Sequence, residues 1–276
     1  MLQVAQHNTL QVLRLTDIGA YLQDGADGVL LPKRYVPTDI QVGDSITVFI
    51  YHDSENRLIA TTDVPLVTVG QIAYLKCEST TAQGAFLQWG LVKDIFVPNS
   101  QQQSNFYQGQ YYFVQIYIDA QTGRAAATEK WEATLTNETL TTKELQPVNL
   151  LIYRETNIGY MCIVNHLYLG LLHFADVYKS IYIGDTHQGY IKKIYPNTHK
   201  LDLVIGKPGY QKVTDASSLI LQLLTNNNGY LPYHDKSEPE EIQAYFGMSK
   251  KAFKMTVGAL YKEKKITLTG NGINLI

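Results

Sequence analysis

Gly84-Ala85-Phe86-Leu87, followed by Asp94-Ile95-Phe96-Val97-Pro98, is the stretch whose reading decides the fold. Two short runs of strand-forming residues flank a polar turn, and a glycine opens the first. Glycine in a strand marks a bulge, a tight bend or a close backbone approach, which a small closed barrel needs. The same order recurs on either side. Upstream stand Gly19-Ala20-Tyr21-Leu22 and Gly28-Val29-Leu30-Leu31-Pro32, and downstream stand Ile158-Gly159-Tyr160-Met161-Cys162 and Gly170-Leu171-Leu172-His173. In each copy Gly-Asp or Gly-Gln (Gly43-Asp44, Gly109-Gln110, Gly184-Asp185) precedes a fourth, alternating strand. A polar turn such as Asp53-Ser54-Glu55-Asn56 or Pro196-Asn197-Thr198-His199 leads to a fifth. Five strands in about 65 residues predict a small barrel of the oligonucleotide/oligosaccharide-binding (OB) type. The chain is expected to be mainly β, with barrels over residues 1–66, 67–144 and 145–207.

Strand alternation separates barrel-filling from outward positions. If Leu87 fills the barrel, Phe86 stands outside, and Tyr21 and Tyr160 occupy the same slot. On the following strand, counting from the glycine or its equivalent places Leu171 and His173 outside in the third copy. It places Ile95 and Val97 outside in the second, with Phe96 inside, and Val29 and Leu31 outside in the first.

Gly-Ala-aromatic-aliphatic, Gly-aliphatic-aliphatic, Gly-Asp/Gln, Val-x-Ile and Arg/Lys-x-x-x-Thr, in that order, resemble the S1 RNA-binding domain over residues 1 to about 207, in three copies. The resemblance implies that the outer aromatic (Tyr21, Phe86 or Tyr160) stacks on a base. It also implies a binding histidine at His173. By this count the first two copies depart from the pattern, and the third reads as the binding barrel. Counted through Tyr210, that part of the chain also holds eight of the 20 tyrosines and the pair Lys192-Lys193. With Lys200, these interleave aromatic and basic residues as a single-strand binder does.

Beyond a linker expected at Gly206-Lys207-Pro208-Gly209, the pattern becomes helical. Leu219, Ile220, Leu223 and Leu224 share a helix face. Ser237 and Glu240 match a capping box. Ser249 is expected to cap a further helix with Phe253, Val257, Leu260 and Tyr261 inward and Lys250, Lys251 and Lys254 on the opposite face. Thr269-Gly270-Asn271-Gly272 between two apolar runs predicts a hairpin. Three helices and a hairpin predict an α+β winged-helix domain over 212–276. The whole order, with Asp235-Lys236-Ser237-Glu238-Pro239 and Phe246-Gly247-Met248-Ser249-Lys250-Lys251-Ala252-Phe253-Lys254, resembles the bacterial conserved virulence factor B family, also called YitL. That resemblance implies three S1 domains and a winged helix, RNA binding and post-transcriptional regulation of gene expression.

Composition agrees with a multidomain binder. The 276 residues carry 23 basic and 25 acidic groups, but 17 % charged residues overall. Residues 1–66 hold four basic and eight acidic groups, whereas Ser249 to Lys265 hold six lysines and one glutamate. An anionic partner is therefore expected at the rear. No phosphate loop, nucleophile elbow or His-Glu-x-x-His motif is present. The seven histidines show no ligand spacing, and Cys77 and Cys162 read as buried thiols. We therefore expect no enzyme, cofactor, metal site or membrane partner, and a cytoplasmic location. Single-stranded RNA is the expected partner, through Tyr160, His173, Lys192, Lys193, Lys200, Lys250, Lys251 and Lys254, with Tyr21 and Phe86 in the acidic barrels. A DNA-binding regulator using the winged helix, and a scaffold whose first two barrels contact proteins, remain the alternatives.

Overall fold

The computed structural model describes residues 2–25, 27–177, 180–205 and 211–276, and for 211–215 it describes the backbone alone. The expected linker at 206–209, together with Tyr178 and Tyr210, lies outside the described residues. The chain divides into two units, Met1–Asn137 with His166–Tyr168, and Glu138–Asn165 with Leu169–Ile276.

The first unit contains two barrels. The first is built from β1 (His7–Thr16), β2 (Gly19–Leu22), β3 (Val29–Pro32), β4 (Ser45–His52) and β5 (Leu58–Thr61), closed in the order β1-β2-β3-β5-β4. The second uses β6 (Ile72–Thr80), β7 (Gly84–Leu87), β8 (Ile95–Pro98), β9 (Tyr111–Ile118) and β10 (Ala125–Thr128), ordered β10-β9-β6-β7-β8. Its two edge strands, β8 and β10, pass within 8 Å between Cα atoms.

A long first strand makes each barrel possible. In β1, residues His7–Gln11 pair with β4 and residues Val12–Thr16 pair with β2, and the register shifts between Val12 and Arg14. The same irregularity falls between Cys77 and Ser79 in β6. An extra residue bends a strand and increases its twist, letting one strand serve two sides of a closed sheet. The glycines that begin β2 and β7 have a second task. A Cβ on Gly19 or Gly84 would stand 2.1 Å or 2.2 Å from the carbonyl oxygen of Leu31 or Val97.

β4 has no solvent face over its centre. Val48 and Ile50 pack inside the first barrel with Val12, Leu22 and Leu31. Phe49 and Tyr51 point the other way and join Leu75, Leu87, Trp89 and Ile116 in the core of the second. The two barrels of this unit therefore share a core.

In the second unit, β11 (Pro147–Glu155), β12 (Gly159–Val164), β13 (Tyr168–His173), β14 (Thr186–Tyr195) and β15 (Lys200–Ile205) close in the order β11-β12-β13-β15-β14. The register shift recurs between Ile152 and Arg154, and a Cβ on Gly159 would stand 2.2 Å from the Leu172 oxygen. The winged helix follows with α1 (Gln211–Asn226), β16 (Tyr230–Leu231), α2 (Pro239–Phe246), α3 (Lys250–Lys262), β17 (Ile266–Thr269) and β18 (Gly272–Leu275). Its sheet runs β16-β18-β17. Ile220, Leu224, Ile242, Phe246, Phe253, Leu260 and Ile273 form its core.

Two local expectations are corrected. The Ser237–Glu240 capping box does not form. Glu238 is the N-cap of α2 with Pro239 inside the first turn, and the Ser237 hydroxyl instead accepts the His234 N–H at 3.0 Å. Tyr261 is 54 % exposed rather than inward, because the buried stripe of α3 runs through Phe253, Thr256, Val257 and Leu260. The Ser249 cap does form, accepting the Ala252 N–H at 3.3 Å.

Candidate nucleic-acid interface

The outward slot on the second strand holds Tyr21 and Phe86 in the first two barrels as expected, but in the third it holds Met161, which pairs with Arg154 just as Tyr21 pairs with Arg14 and Phe86 with Ser79. Tyr21 and Phe86 are half-buried between fully buried neighbours, whereas Tyr160 lies one residue earlier, level with Ala20 and Ala85, and both it and Met161 are half-buried, so counting from the wrong residue shifted the third copy by one. The following strand differs from the expectation in the first two barrels. Val29 and Leu31 are buried, and Leu30 faces outward opposite Tyr21. Ile95 and Val97 are likewise buried, and Phe96 faces outward opposite Phe86. The phase error has a structural origin. Leu31, Val97 and Leu172 are equivalent, because their carbonyls approach Gly19, Gly84 and Gly159. Gly170 thus lies inside β13, level with Val29 and Ile95, whereas Gly28 precedes β3 at φ 73°. The two glycines do not mark the same position.

The three surfaces are unequal. On the first barrel the Arg14 guanidinium lies 4.0 Å from the Tyr21 ring centroid and covers it. On the second, Phe86 and Phe96 form an aromatic pair with centroids 5.0 Å apart. On the third, Tyr160 meets Phe174 edge-on at 5.2 Å. His173, predicted from sequence, is outward and one-third exposed, with Nε2 3.1 Å from Asp202 Oδ1. The other Asp202 oxygen accepts the Tyr195 hydroxyl at 2.9 Å, and Lys193 Nζ lies 4.6 Å from the Tyr195 ring centroid. The structure therefore connects His173 and Lys193 through Asp202 and Tyr195.

Lys192 is committed elsewhere. It pairs with the carboxylate of Asp176, which is 4 % exposed, and so neutralises a buried charge. Breaking such a pair leaves an uncompensated buried charge. Lys200 is exposed and lies across from Tyr195 in the β14–β15 ladder. On α3, Lys251 and Lys254 are exposed and Lys250 is half-exposed.

The sequence reading missed the cavity in the first unit. It measures about 560 Å³ and is lined by Tyr51 and His52 from β4, and by Phe86, Trp89, Lys93, Phe96 and Arg124 from the second barrel. Trp89 Nε1–H donates to the Lys93 carbonyl at 2.6 Å, and Lys93 Nζ donates to the Asp53 carbonyl at 2.7 Å. Burial, then the Arg124 charge, lowers the Lys93 pKa. Burial, then Lys93 and Arg124, lowers that of His52. Three nitrogen bases thus face one region. Phe96 was the available signal, hidden by the phase error.

No group of three or more His, Cys, Asp or Glu residues positioned for a metal is present among the described residues, and none of their helices is long and apolar enough to cross a membrane. Both cysteines are buried and unpaired, and burial pushes the Cys162 thiol up to about 12. Native protein should therefore leave Cys162 unalkylated by iodoacetamide at pH 8, with labelling appearing on denaturation. Rapid native labelling, read by mass spectrometry, would contradict its burial.

Comparison with known proteins adds to this geometry. The S1 domain model matches residues 6–63, and the CvfB-like winged helix domain model matches residues 218–275. The chain carries an S1 domain and a CvfB-like winged helix. YitL of Bacillus subtilis is 28 % identical over 273 residues, covering 95 % of this chain and 90 % of its own length. Conserved virulence factor B of Staphylococcus aureus USA300 is 28 % identical over 270 residues, covering 92 % and 88 %. A crystal structure described as a multidomain protein with nucleic acid binding domains, from Streptococcus pneumoniae, aligns over 99 % of this chain and 98 % of its own at 22 % identity and a TM-score of 0.42. The S1 and CvfB-like winged-helix domains place the chain among nucleic-acid-binding architectures, in line with the sequence-based expectation.

Proposed function

We propose that this chain is a non-catalytic, cytoplasmic RNA-binding protein acting as a post-transcriptional regulator of gene expression. The observation that carries this reading is the outward aromatic at Tyr21 and Phe86 in one strand slot of two barrels, with half-buried Tyr160 one residue from the matching slot of the third. Stacking on such rings tolerates any base and suits single strands. The third barrel supplies Tyr160 and His173 for bases and Lys193 and Lys200 for phosphates. The face of α3 bearing Lys250, Lys251 and Lys254 supplies further phosphate contacts. Lys192 holds Asp176 in place instead. The unpaired buried thiols are consistent with a reducing compartment.

Fluorescence anisotropy of the full chain with single-stranded RNA, single-stranded DNA and duplex DNA across a salt series tests the reading. RNA preference with a salt-dependent affinity is the expected result. Tyr160→Ala should weaken RNA binding by about 1–3 kcal/mol. An unchanged affinity with the fold intact would remove Tyr160 from the interface. Preference for duplex DNA would favour the winged-helix transcription regulator. Against that reading, α3 carries lysines but no arginine to grip guanine edges. A protein contact on the first unit is a second reading, favoured by Val64, Leu66 and Val92, which are 68–75 % exposed.

A further inference from the structure

The second barrel carries another aromatic face, on β6 and β9 rather than on β7 and β8. In β9, Val114 and Ile116 are buried, and Tyr112 packs against the core and stacks on Phe106 at 3.8 Å. Strand alternation therefore sends Tyr111 and Phe113 outward. On β6, Leu75 and Cys77 fill the core, and Tyr74 stands outward opposite Phe113 in the ladder. The Tyr74 and Phe113 rings stack at 4.3 Å, Tyr111 lies 5.3 Å from Tyr74, and Trp131 meets Phe113 at 6.3 Å. These rings line a pocket of about 300 Å³, at the lower end of the range of ligand sites, and Tyr111 is 51 % exposed there. Glu129 and Glu132 share its walls. Glu129 is fixed in place, accepting the Ser104 N–H at 2.8 Å and the Ser104 hydroxyl at 2.7 Å. Glu132 is exposed, and its carboxylate is in no hydrogen bond or ion pair among the described residues. No described basic residue lines the pocket, and Lys130, the nearest in the chain, donates to the Ser100 carbonyl at 2.6 Å.

Ring faces beside carboxylates, with no cation supplied by the chain, are complementary to a positive group. A cation is drawn both to the face of an aromatic ring and to a carboxylate. A nucleic acid stacking on these rings would have to bring its phosphates towards Glu129 and Glu132, which repel them. The surroundings have the same sign, because residues 1–137 hold thirteen acidic and eight basic groups. Arginine suits such a site better than lysine. Its planar, weakly hydrated guanidinium stacks on rings while its edge donates to a carboxylate. We infer that this pocket docks a basic protein segment by taking one of its arginine side chains, with the guanidinium on the Tyr111 and Tyr74 rings and donating to Glu132. None of these residues belongs to the surfaces proposed for RNA, so the two readings fail separately.

Short fluorescein-labelled peptides of alternating arginine and glycine are titrated by anisotropy with the full-length chain up to about 1 mM, a concentration that reveals even weak sites. Matching peptides carry lysine, or the uncharged isostere citrulline, in place of arginine. Saturable binding of the arginine peptide, weaker binding of the lysine peptide and none of the citrulline peptide are expected. Tyr111→Ala and Glu132→Gln should each weaken arginine-peptide binding by about ten-fold. Both side chains are exposed, so the fold is kept, and Tyr111→Phe, which retains the ring, should retain the affinity. Asp39→Asn removes an exposed acid of the first barrel outside the pocket and should leave binding unchanged. Absence of arginine-peptide binding, equal binding of the citrulline peptide, or binding unaffected by Tyr111→Ala would overturn the inference. Equal losses in Glu132→Gln and Asp39→Asn would also overturn it, by showing diffuse attraction to an acidic surface. Loss of single-stranded RNA binding in Tyr111→Ala, with peptide binding intact, would give the rings to RNA instead.

Discussion

Phe49→Ala should lower unfolding free energy by about 3–5 kcal/mol, the cost of deleting a large buried aromatic side chain. The ring is fully buried and lies edge-on to Trp89 at a centroid distance of 5.6 Å and to His7 at 5.4 Å. It belongs by sequence to the first barrel but packs among residues of the second. Surrounding side chains cannot collapse into the gap without moving one barrel against the other. The loss should therefore also reduce cooperativity within the first unit, splitting its urea transition into two. Phe49→Leu, which refills part of the volume, should recover much of the lost stability. A single, unshifted transition for Phe49→Ala would show that the shared core contributes little to joining the barrels.

That shared core explains one limit of the sequence reading. Val48-Phe49-Ile50-Tyr51 is a continuous apolar run, and alternation identifies a strand face only when one face is polar. The run announces a strand buried on both sides but not what covers the second face. Elsewhere, barrel-filling residues were legible because Ala20, Leu22, Ala85 and Leu87 alternate with Tyr21 and Phe86. In the third barrel the aromatic directly follows the equivalent glycine, Gly159, so matching Tyr160 to Tyr21 and Phe86 moved that strand by one residue and missed Met161.

The candidate site was less legible because two glycines with different tasks look alike in sequence. Gly28 begins the approach to β3 in a left-handed conformation, whereas Gly170 sits inside β13, where a Cβ would stand 2.7 Å from the Leu203 side chain. Counting from both as though they were equivalent turns a strand over, and with a period of two that moves every side chain to the wrong face. The aromatic pair on the second barrel disappeared in this way. The error at Lys192 was of another kind. Its pairing with Asp176 joins residues 16 positions apart, and nothing in the local pattern marks Asp176 as buried.

The triple substitution Lys250→Ala, Lys251→Ala and Lys254→Ala should produce the largest change in RNA binding. Each single-strand phosphate contact contributes about 0.7 to the slope of log affinity against log salt, so losing three flattens it by up to about 2. Affinity should fall most at low salt and converge with the parent protein as salt rises. The fold should persist for identifiable reasons. Phe253, Val257 and Leu260 still bury the inner face of α3, the Ser249 cap remains, and alanine is the best helix former. Circular dichroism and urea unfolding therefore separate loss of binding from loss of structure. The size of the change also discriminates between partners. A duplex would lose about 0.9 per phosphate contact, and its discrimination among sequences would survive if other residues read the bases. A folded triple variant with an unchanged affinity and salt slope would remove α3 from the interface and leave RNA recognition to the barrel faces.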